Sequence, residues 1–220
     1  MAKHLDPRVI KTRSSLKDAL INLMQQYKIE NISVQKITET AHITRGTFYL
    51  HYKDKRDFIA SAMTEILDDF FNAVMIDSTG RLPMITTSTQ VTQLFSVNAA
   101  FSYIETEANM FNVLLNTQAN GVFEYQLITR LTKALERFHD QLKSDFLEIN
   151  VPENIQIAFI VSAYIGLVKN WLADGLIYTP HYMTSSIQKM TALISHDPQK
   201  LTFSDFFFTQ ADFVPHPAAN

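Results

Sequence analysis

Residues 33–58, SVQKITETAHITRGTFYLHYKDKRDF, restrict the fold of this chain more than any other stretch. Ser33 and Thr44 carry the short hydroxyl side chain that caps a helix N-terminus, and Asp54 repeats the signal with Asp57 three residues on, an acidic variant of the capping box. Between the first two caps, Val34, Ile37 and Ala41 line one face of about two helical turns. Only a tight turn fits before Thr44 opens the next helix, which should end near His51 or Tyr52. From Asp54, the stripe Ile59, Ala62, Ile66 and Phe70 predicts a long helix to about Met75, roughly 30 Å of rod. Upstream, Asp6 and Pro7 begin a helix in which Leu16, Leu20, Leu23, Met24 and Tyr27 recur at helical spacing.

The rest of the chain reads the same way. Helices are expected over 86–106, 109–117 and 120–146, then from Pro152 to Asp174 with Gly175 as C-cap, and from Thr179 to about Ser195. Five glycines in 220 residues argue against a Gly-punctuated β architecture. The predicted class is all-α: a three-helix head (1–53), a helical body (54–197, entered through a helix over 54–76) and a tail (198–220) with five phenylalanines. The tail is read as a docking segment or as folded back on its own core. With no cysteine, disulfides, thiolate metal sites and cysteine catalysis are excluded. No secretory signal or run of 18 apolar residues occurs, so a soluble, cytoplasmic protein without a membrane segment is expected; the richest run, IQIAFIVSAYIGLV, reads as a buried helix. The seven histidines form no i, i+3 or i, i+4 pair, and no G-x-S-x-G, H-E-x-x-H or phosphate-binding glycine loop occurs. No enzyme activity, cofactor or metal is predicted.

Charge is divided unevenly. Residues 1–60 hold eleven Lys/Arg against six Asp/Glu, and residues 61–220 hold eight against sixteen. A basic head on an acidic body suits a polyanion touched by one end. Helices of about 20, 8 and 8 residues with a tight turn fit a helix-turn-helix, which sets the second helix of the pair in the DNA major groove with its first residues at base edges. Those residues are Thr44, Arg45, Gly46 and Thr47. Arg45 can bridge guanine by two hydrogen bonds, and Thr47 offers a hydroxyl and a methyl. Gly46 lets the helix backbone come close. Tyr49, His51 and Lys55 are placed where the duplex backbone would pass, and Ser33 joins this DNA-binding set. Phe48 and Tyr52 are expected to pack on the first helix, and Leu50 is either partly buried or an apolar contact to a thymine methyl.

The same stretch resembles the helix-turn-helix signature of the TetR/AcrR transcriptional regulators: TFYLHY is followed by a polar cap, a lysine and an acidic residue, here Asp54, Lys55 and Asp57. The resemblance covers residues 8–58 closely. One departure is His42, where the family commonly has Gly and the turn wants φ > 0. The resemblance implies a homodimer, usually a repressor, that binds a double-stranded DNA operator and is released by a small molecule. It also implies that the last two helices pack as a four-helix bundle with those of a second subunit. That assigns Phe159, Ile165, Gly166, Trp171, Met183 and Met190 to the dimer seam; the alternative is a helix central to a monomeric bundle. For the ligand, Phe70, Asn98, Phe101, Phe111, Phe123 and Tyr164 are the candidates, in a mostly apolar or aromatic pocket. The same residues read equally as plain core. A cavity among the middle helices would favour a small-molecule effector, and a solid core with an exposed apolar patch would favour control by a partner protein.

Overall fold

Asp6 does begin the first helix: its carboxylate accepts a hydrogen bond from the Arg8 backbone N–H (2.8 Å), with Pro7 in the first turn. In the computed structural model, residues 6–79, 81–82, 91–116, 121–192 and 200–209 are described. The chain divides into two compact units, residues up to Asp68 with Asn109–Leu127, and Asp69–Ala108 with Ile128 onward. These bounds differ from the head, body and tail read from the sequence, because two long helices run through the division.

The first unit contains α1 (Pro7–Met24), a 3-10 turn (Ile29–Asn31), α2 (Val34–Thr40), α3 (Arg45–His51), the first part of α4 (Lys55–Val74), most of α6 (Ala108–Asn116) and the start of α7 (Val122–Leu142). The α1 helix stops three residues short of Tyr27, which is exposed and receives the Lys36 ammonium over its ring at 3.8 Å. Leu16 and Leu20 of α1, Ile37 of α2, Phe48 of α3 and Phe58, Met63 and Ile66 of α4 are almost wholly buried. Each such side chain stabilises the fold by about 1.5–3 kcal/mol relative to exposure. The predicted caps are all present. Ser33 Oγ accepts from Lys36 N (3.2 Å), Thr44 Oγ1 from Thr47 N (3.1 Å) and Asp54 Oδ1 from Asp57 N (2.8 Å). The Asp57 carboxylate reaches back to Lys53 N (2.9 Å) instead of Asp54 N, a shifted capping box.

The second unit holds β1 (Met75–Asp77), β2 (Gln93–Ser96), α5 (Val97–Thr106), the rest of α7, α8 (Glu153–Ala173), α9 (Pro180–Ala192), a 3-10 turn (Phe203–Phe206) and β3 (Phe207–Phe208). The class is mostly helical, but these strands form a small sheet in the order β1-β2-β3, which the sequence reading did not include. β1 pairs antiparallel with β2, Met75 opposite Phe95, and β2 pairs parallel with β3, Phe95 opposite Phe207. The helix expected over 86–106 therefore begins only at Val97; residues 93–96 are strand, and 86–90 lie outside the described residues. The reason is tertiary. Leu94, Phe95 and Ser96 are all buried, Phe95 touches the rings of Phe70, Phe71, Phe206 and Phe207, and of the two pairing partners one precedes the strand and the other comes more than a hundred residues later. Ser96 then caps α5 through Ala99 N (3.3 Å).

Within this unit α8 ends in a Schellman turn. Gly175 at φ 75 donates to Leu172 O (3.2 Å) and Leu176 N to Trp171 O (3.0 Å). Four of the tail's phenylalanines are described, and Phe203, Phe206 and Phe207 are buried, so this part of the tail is folded on its own core; Phe213 lies outside the described residues. The Phe206 side chain is fully enclosed against Phe95, Phe138 and Phe207. Replacing Phe206 with Ala should cost about 3–5 kcal/mol. Urea denaturation should report this as a lower midpoint with an unchanged slope.

Candidate nucleic-acid interface

The α2–α3 pair is set by one turn. His42 has φ 54 and donates to Glu39 O (3.1 Å), while Ile43 N donates to Thr38 O (2.9 Å). This is a Schellman ending in which His takes the left-handed conformation that Gly accepts freely. The chain reverses there and Thr44 starts α3 two residues later.

With seven residues, α3 owes its orientation to its buried side. The Phe48 ring is fully buried, 5.5 Å from Phe58 edge to face and 5.6 Å from Tyr52, and Tyr52 and Phe58 lie 4.9 Å apart. Burial pushes the Tyr52 phenol above its ordinary pKa range, so it remains neutral and accepts from Arg13 Nε of α1 (3.2 Å), while Arg13 pairs with Glu65 of α4. Phe48 and Tyr52 are thus buried as expected, but their ring contacts are with Phe58 of α4, and the first helix is reached through the Arg13–Tyr52 hydrogen bond.

The opposite side of α3 faces solvent. Thr44, Arg45, Gly46 and Tyr49 are exposed, Thr47 and His51 are partly so, and Leu50 is 83% exposed, which removes the reading of Leu50 as partly buried. The Thr44 and Thr47 hydroxyls bond one another (2.9 Å), so one proton of the pair remains to donate. Ser33 Oγ accepts a cap hydrogen bond and likewise keeps its proton. A Cβ built on Gly46 would meet only Thr44 Oγ1, at 3.8 Å. Nothing within the unit requires Gly there.

Lys55 departs from expectation. Its ammonium donates to the carbonyls of Ile29 (3.2 Å), Glu30 (3.2 Å) and Ile32 (2.9 Å), using all three N–H bonds inside the protein. A cation in the first turn of a helix opposes the helix dipole. Its place at the start of α4 is explained by these carbonyls: Ile29 O accepts otherwise only from Ile32 N (3.3 Å), and the short 3-10 turn supplies no helical partner to Glu30 O or Ile32 O. Lys55 is thereby corrected from a phosphate contact to a brace between the 3-10 turn and α4. Exposed Lys53 and Arg56 flank it and were not singled out from the sequence.

A model of the TetR family of bacterial regulatory proteins matches residues 16–62, and one described as a transcriptional regulator C-terminal region matches residues 94–192. The chain belongs to the TetR family. It is a DNA-binding transcriptional regulator of the helix-turn-helix type, not an enzyme. Among its relatives, an uncharacterised helix-turn-helix regulator of Bacillus subtilis, YxbF, is 23% identical over 182 residues, covering 82% of this chain and 44% of the relative, so this chain spans under half of that protein's length. The regulator AcrR of Shigella flexneri is 23% identical over 181 residues, covering 78% of this chain and 83% of AcrR. NalD of Pseudomonas aeruginosa, described as the secondary repressor of the MexAB-OprM multidrug efflux pump, superposes with a TM-score of 0.57 over 84% of this chain and 96% of NalD at 17% identity, a likeness of fold.

The six candidate ligand residues are divided between the two units. Phe111 and Phe123 pack edge to face (5.9 Å) in the first unit, whereas Phe70, Asn98, Phe101 and Tyr164 belong to the second. There Phe70 is buried on Phe71, Phe95 and Tyr103, and Phe101 is buried edge-on to Trp171 (5.0 Å). Of the six, Tyr164 alone lines either of two cavities in the second unit. Its groove, of about 650 Å³, lies between α8, α9 and the segments 146–151 and 202–204, with Ile160, Leu167 and Ile187 among its apolar walls. Tyr164 stacks on Phe207 (3.8 Å), and its hydroxyl is buried without a hydrogen-bond partner. Burial pushes that phenol well above its ordinary range. The sequence had no signal for this groove, because seven of its seventeen lining residues come from the 146–151 loop and the tail. Among the described residues no group of three or more His, Asp or Glu could hold a metal.

The candidate seam divides likewise. Phe159 (73% exposed), Gly166 and Met190 (50%) face outward, but Ile165, Trp171 and Met183 are buried in their own unit. Trp171 also donates its indole N–H to Tyr178 O (2.9 Å). Those three are corrected from seam to core. α8 has the length and mean hydropathy (1.5) of a membrane span, but Ile157, Val161, Ile165, Trp171 and Leu172 are committed to the unit's interior.

Lys55→Met should behave as a stability variant. Losing three hydrogen bonds from a charged donor should cost about 2–4 kcal/mol, lowering the thermal midpoint. The dependence of DNA affinity on salt should be unchanged in the folded protein, since no phosphate contact is lost.

Proposed function

We propose that the chain is a homodimeric repressor that binds a near-palindromic operator and leaves it when a small, largely apolar or aromatic ligand binds. The observation that carries the DNA part is the outward row on α3. Thr44, Arg45, Gly46, Tyr49 and Leu50 are exposed while Phe48 and Tyr52 are held inside. Arg45 is the base reader in this proposal, Thr47 a second contact at base edges, and Ser33, Thr44, Tyr49 and His51 contacts to phosphate. Gly46 supports it, because its missing side chain serves nothing within the unit and leaves room for a duplex.

The dimer is proposed on the outer stripe of α8 with α9. Ile155 (54% exposed) and Phe159 stand out from α8, Ala158, Ser162 and Gly166 are small and exposed, and Tyr182 (53%) and Met190 are exposed on α9. A Cβ on Gly166 would touch nothing within its own unit, so a neighbouring helix has room to approach. A two-fold dimer would present its recognition helices roughly 34–36 Å apart, or a multiple of that, which is the basis for a near-palindrome. The groove beside Tyr164, whose lining includes Ile155, Phe159 and Met190 of that same face, is the proposed effector site: its walls are largely apolar, and the buried Tyr164 hydroxyl, which has no partner, would select a ligand carrying a hydrogen-bond acceptor.

Control by a partner protein is the second reading, favoured by the solid packing around Phe70 and Phe101. To separate the two, genomic fragments retained by the protein are sequenced, and aromatic and apolar compounds are titrated against the complex. Release by such compounds supports the first reading; release by a cellular protein alone replaces it.

Arg45→Ala should lose about 1–3 kcal/mol at the operator and blur preference at one base position. Gly46→Ala should weaken operator binding while stabilising the helix by up to about 1 kcal/mol. Anisotropy titrations over a panel of mutated operators check both, and a uniform loss for Arg45→Ala would remove it from base reading. Phe159→Asp should give a folded monomer by sedimentation at micromolar concentration, with its helical circular-dichroism signal retained because the side chain is exposed within its own chain, and with a midpoint below that of the dimer. A wild-type monomer at that concentration would end the dimer proposal.

A further inference from the structure

The second unit has another cleft, of about 680 Å³, between the last turn of α4, β2 and α7. It shares no lining residue with the groove beside Tyr164. Arg130, Lys133 and Arg137 line it from α7, spaced i, i+3 and i+7 on one helix face. They are three of only eight Lys/Arg in residues 61–220, a region with sixteen Asp/Glu, yet no acidic side chain lines the cleft. The like charges of Lys133 and Arg137, four residues apart, repel one another, an arrangement that an anion relieves.

The remaining walls supply the other half of a recognition site. Phe71, Phe138 and Phe206 present aromatic surface, and the Arg130 guanidinium lies 5.8 Å from the Phe71 ring centroid. Lys133 and Arg137 are exposed and make no hydrogen bond or ion pair among the described residues. The Thr92 hydroxyl donates to Gln141 Oε1, which fixes that amide and leaves its N–H₂ to donate. The charged groups are thus all donors, and the planar Arg fork matches a carboxylate.

We infer that this cleft binds a small organic carboxylate with an aromatic body, its head between Lys133 and Arg137 and its ring against the phenylalanines. The volume is that of a drug-sized ligand site. This site is independent of the effector groove proposed above.

Isothermal titration of the full chain with 4-phenylbutyrate, 4-phenylbutan-1-ol and inorganic phosphate tests it. The carboxylate should bind one site per chain at least tenfold more tightly than the alcohol or phosphate, and Lys133→Gln/Arg137→Gln should lose at least tenfold. The double variant should melt no lower than the wild type, because both side chains are exposed and their mutual repulsion is removed. Equal affinity for alcohol and carboxylate, or an unchanged affinity in the double variant, would overturn the inference. So would displacement of the carboxylate by duplex DNA of random sequence, which would assign the cations to a phosphate backbone.

Discussion

A helix of seven residues has fewer than two turns and does not hold itself together in water. The α3 helix exists because Phe48 and Tyr52 insert into a cluster closed by Phe58 of α4. Once those two are inside, the 3.6-residue period leaves Arg45, Tyr49 and Leu50 outside. The buried aromatic contact and the exposed binding face are one constraint seen from two sides. Arg13 ties the cluster to α1 through the Tyr52 hydroxyl, and Lys55 ties the start of α4 to the 3-10 turn. Every cation near α3 must therefore be divided between those holding the unit together and those left facing outward. Counting positive charge does not make that division.

That division is also where reading the sequence ran out. The caps at Ser33, Thr44 and Asp54, the left-handed turn at His42 and the inward face of α3 were legible, because each depends on residues within a few positions of one another. Lys55 was misread because an exposed cation in a DNA-binding motif and an ammonium turned onto carbonyls 29, 30 and 32 look the same in one dimension. A lysine in the first turn of a helix, against its dipole, was the available hint. In the second unit the helices were placed well, but β2 was read as helix: its strand character comes from pairing with Met75–Asp77 and with Phe207–Phe208, neither of them adjacent in the chain. The ligand set failed for the same reason, since Phe70 and Phe101 are filled in by neighbours that no local pattern identifies.

Helix α8 illustrates a different limit. Its apolar residues go nearly all round, which predicts burial on several sides but cannot say by what. Ile165 and Trp171 are covered by their own chain, while Ile155 and Phe159 are not. Hydropathy alone would treat these four residues alike; what separates them is packing from elsewhere in the chain, as where Phe101 of α5 lies edge-on to Trp171.

The parallel pairing of β3 with β2 has a consequence for the order in which the molecule is built. Phe95 and Phe138 emerge from the ribosome long before Phe206 and Phe207, the rings that cover them. Until then the nascent second unit carries an uncapped aromatic surface beside an open strand edge, a state prone to wrong association. Helices α1 to α3 pack largely through near neighbours in sequence and form early, whereas the sheet closes across a loop of more than a hundred residues, a slow step by its topology. The final strand, only two residues long, acts as a latch: the regulator's second unit is complete only when its last described segment has been made and returned to the middle of the chain.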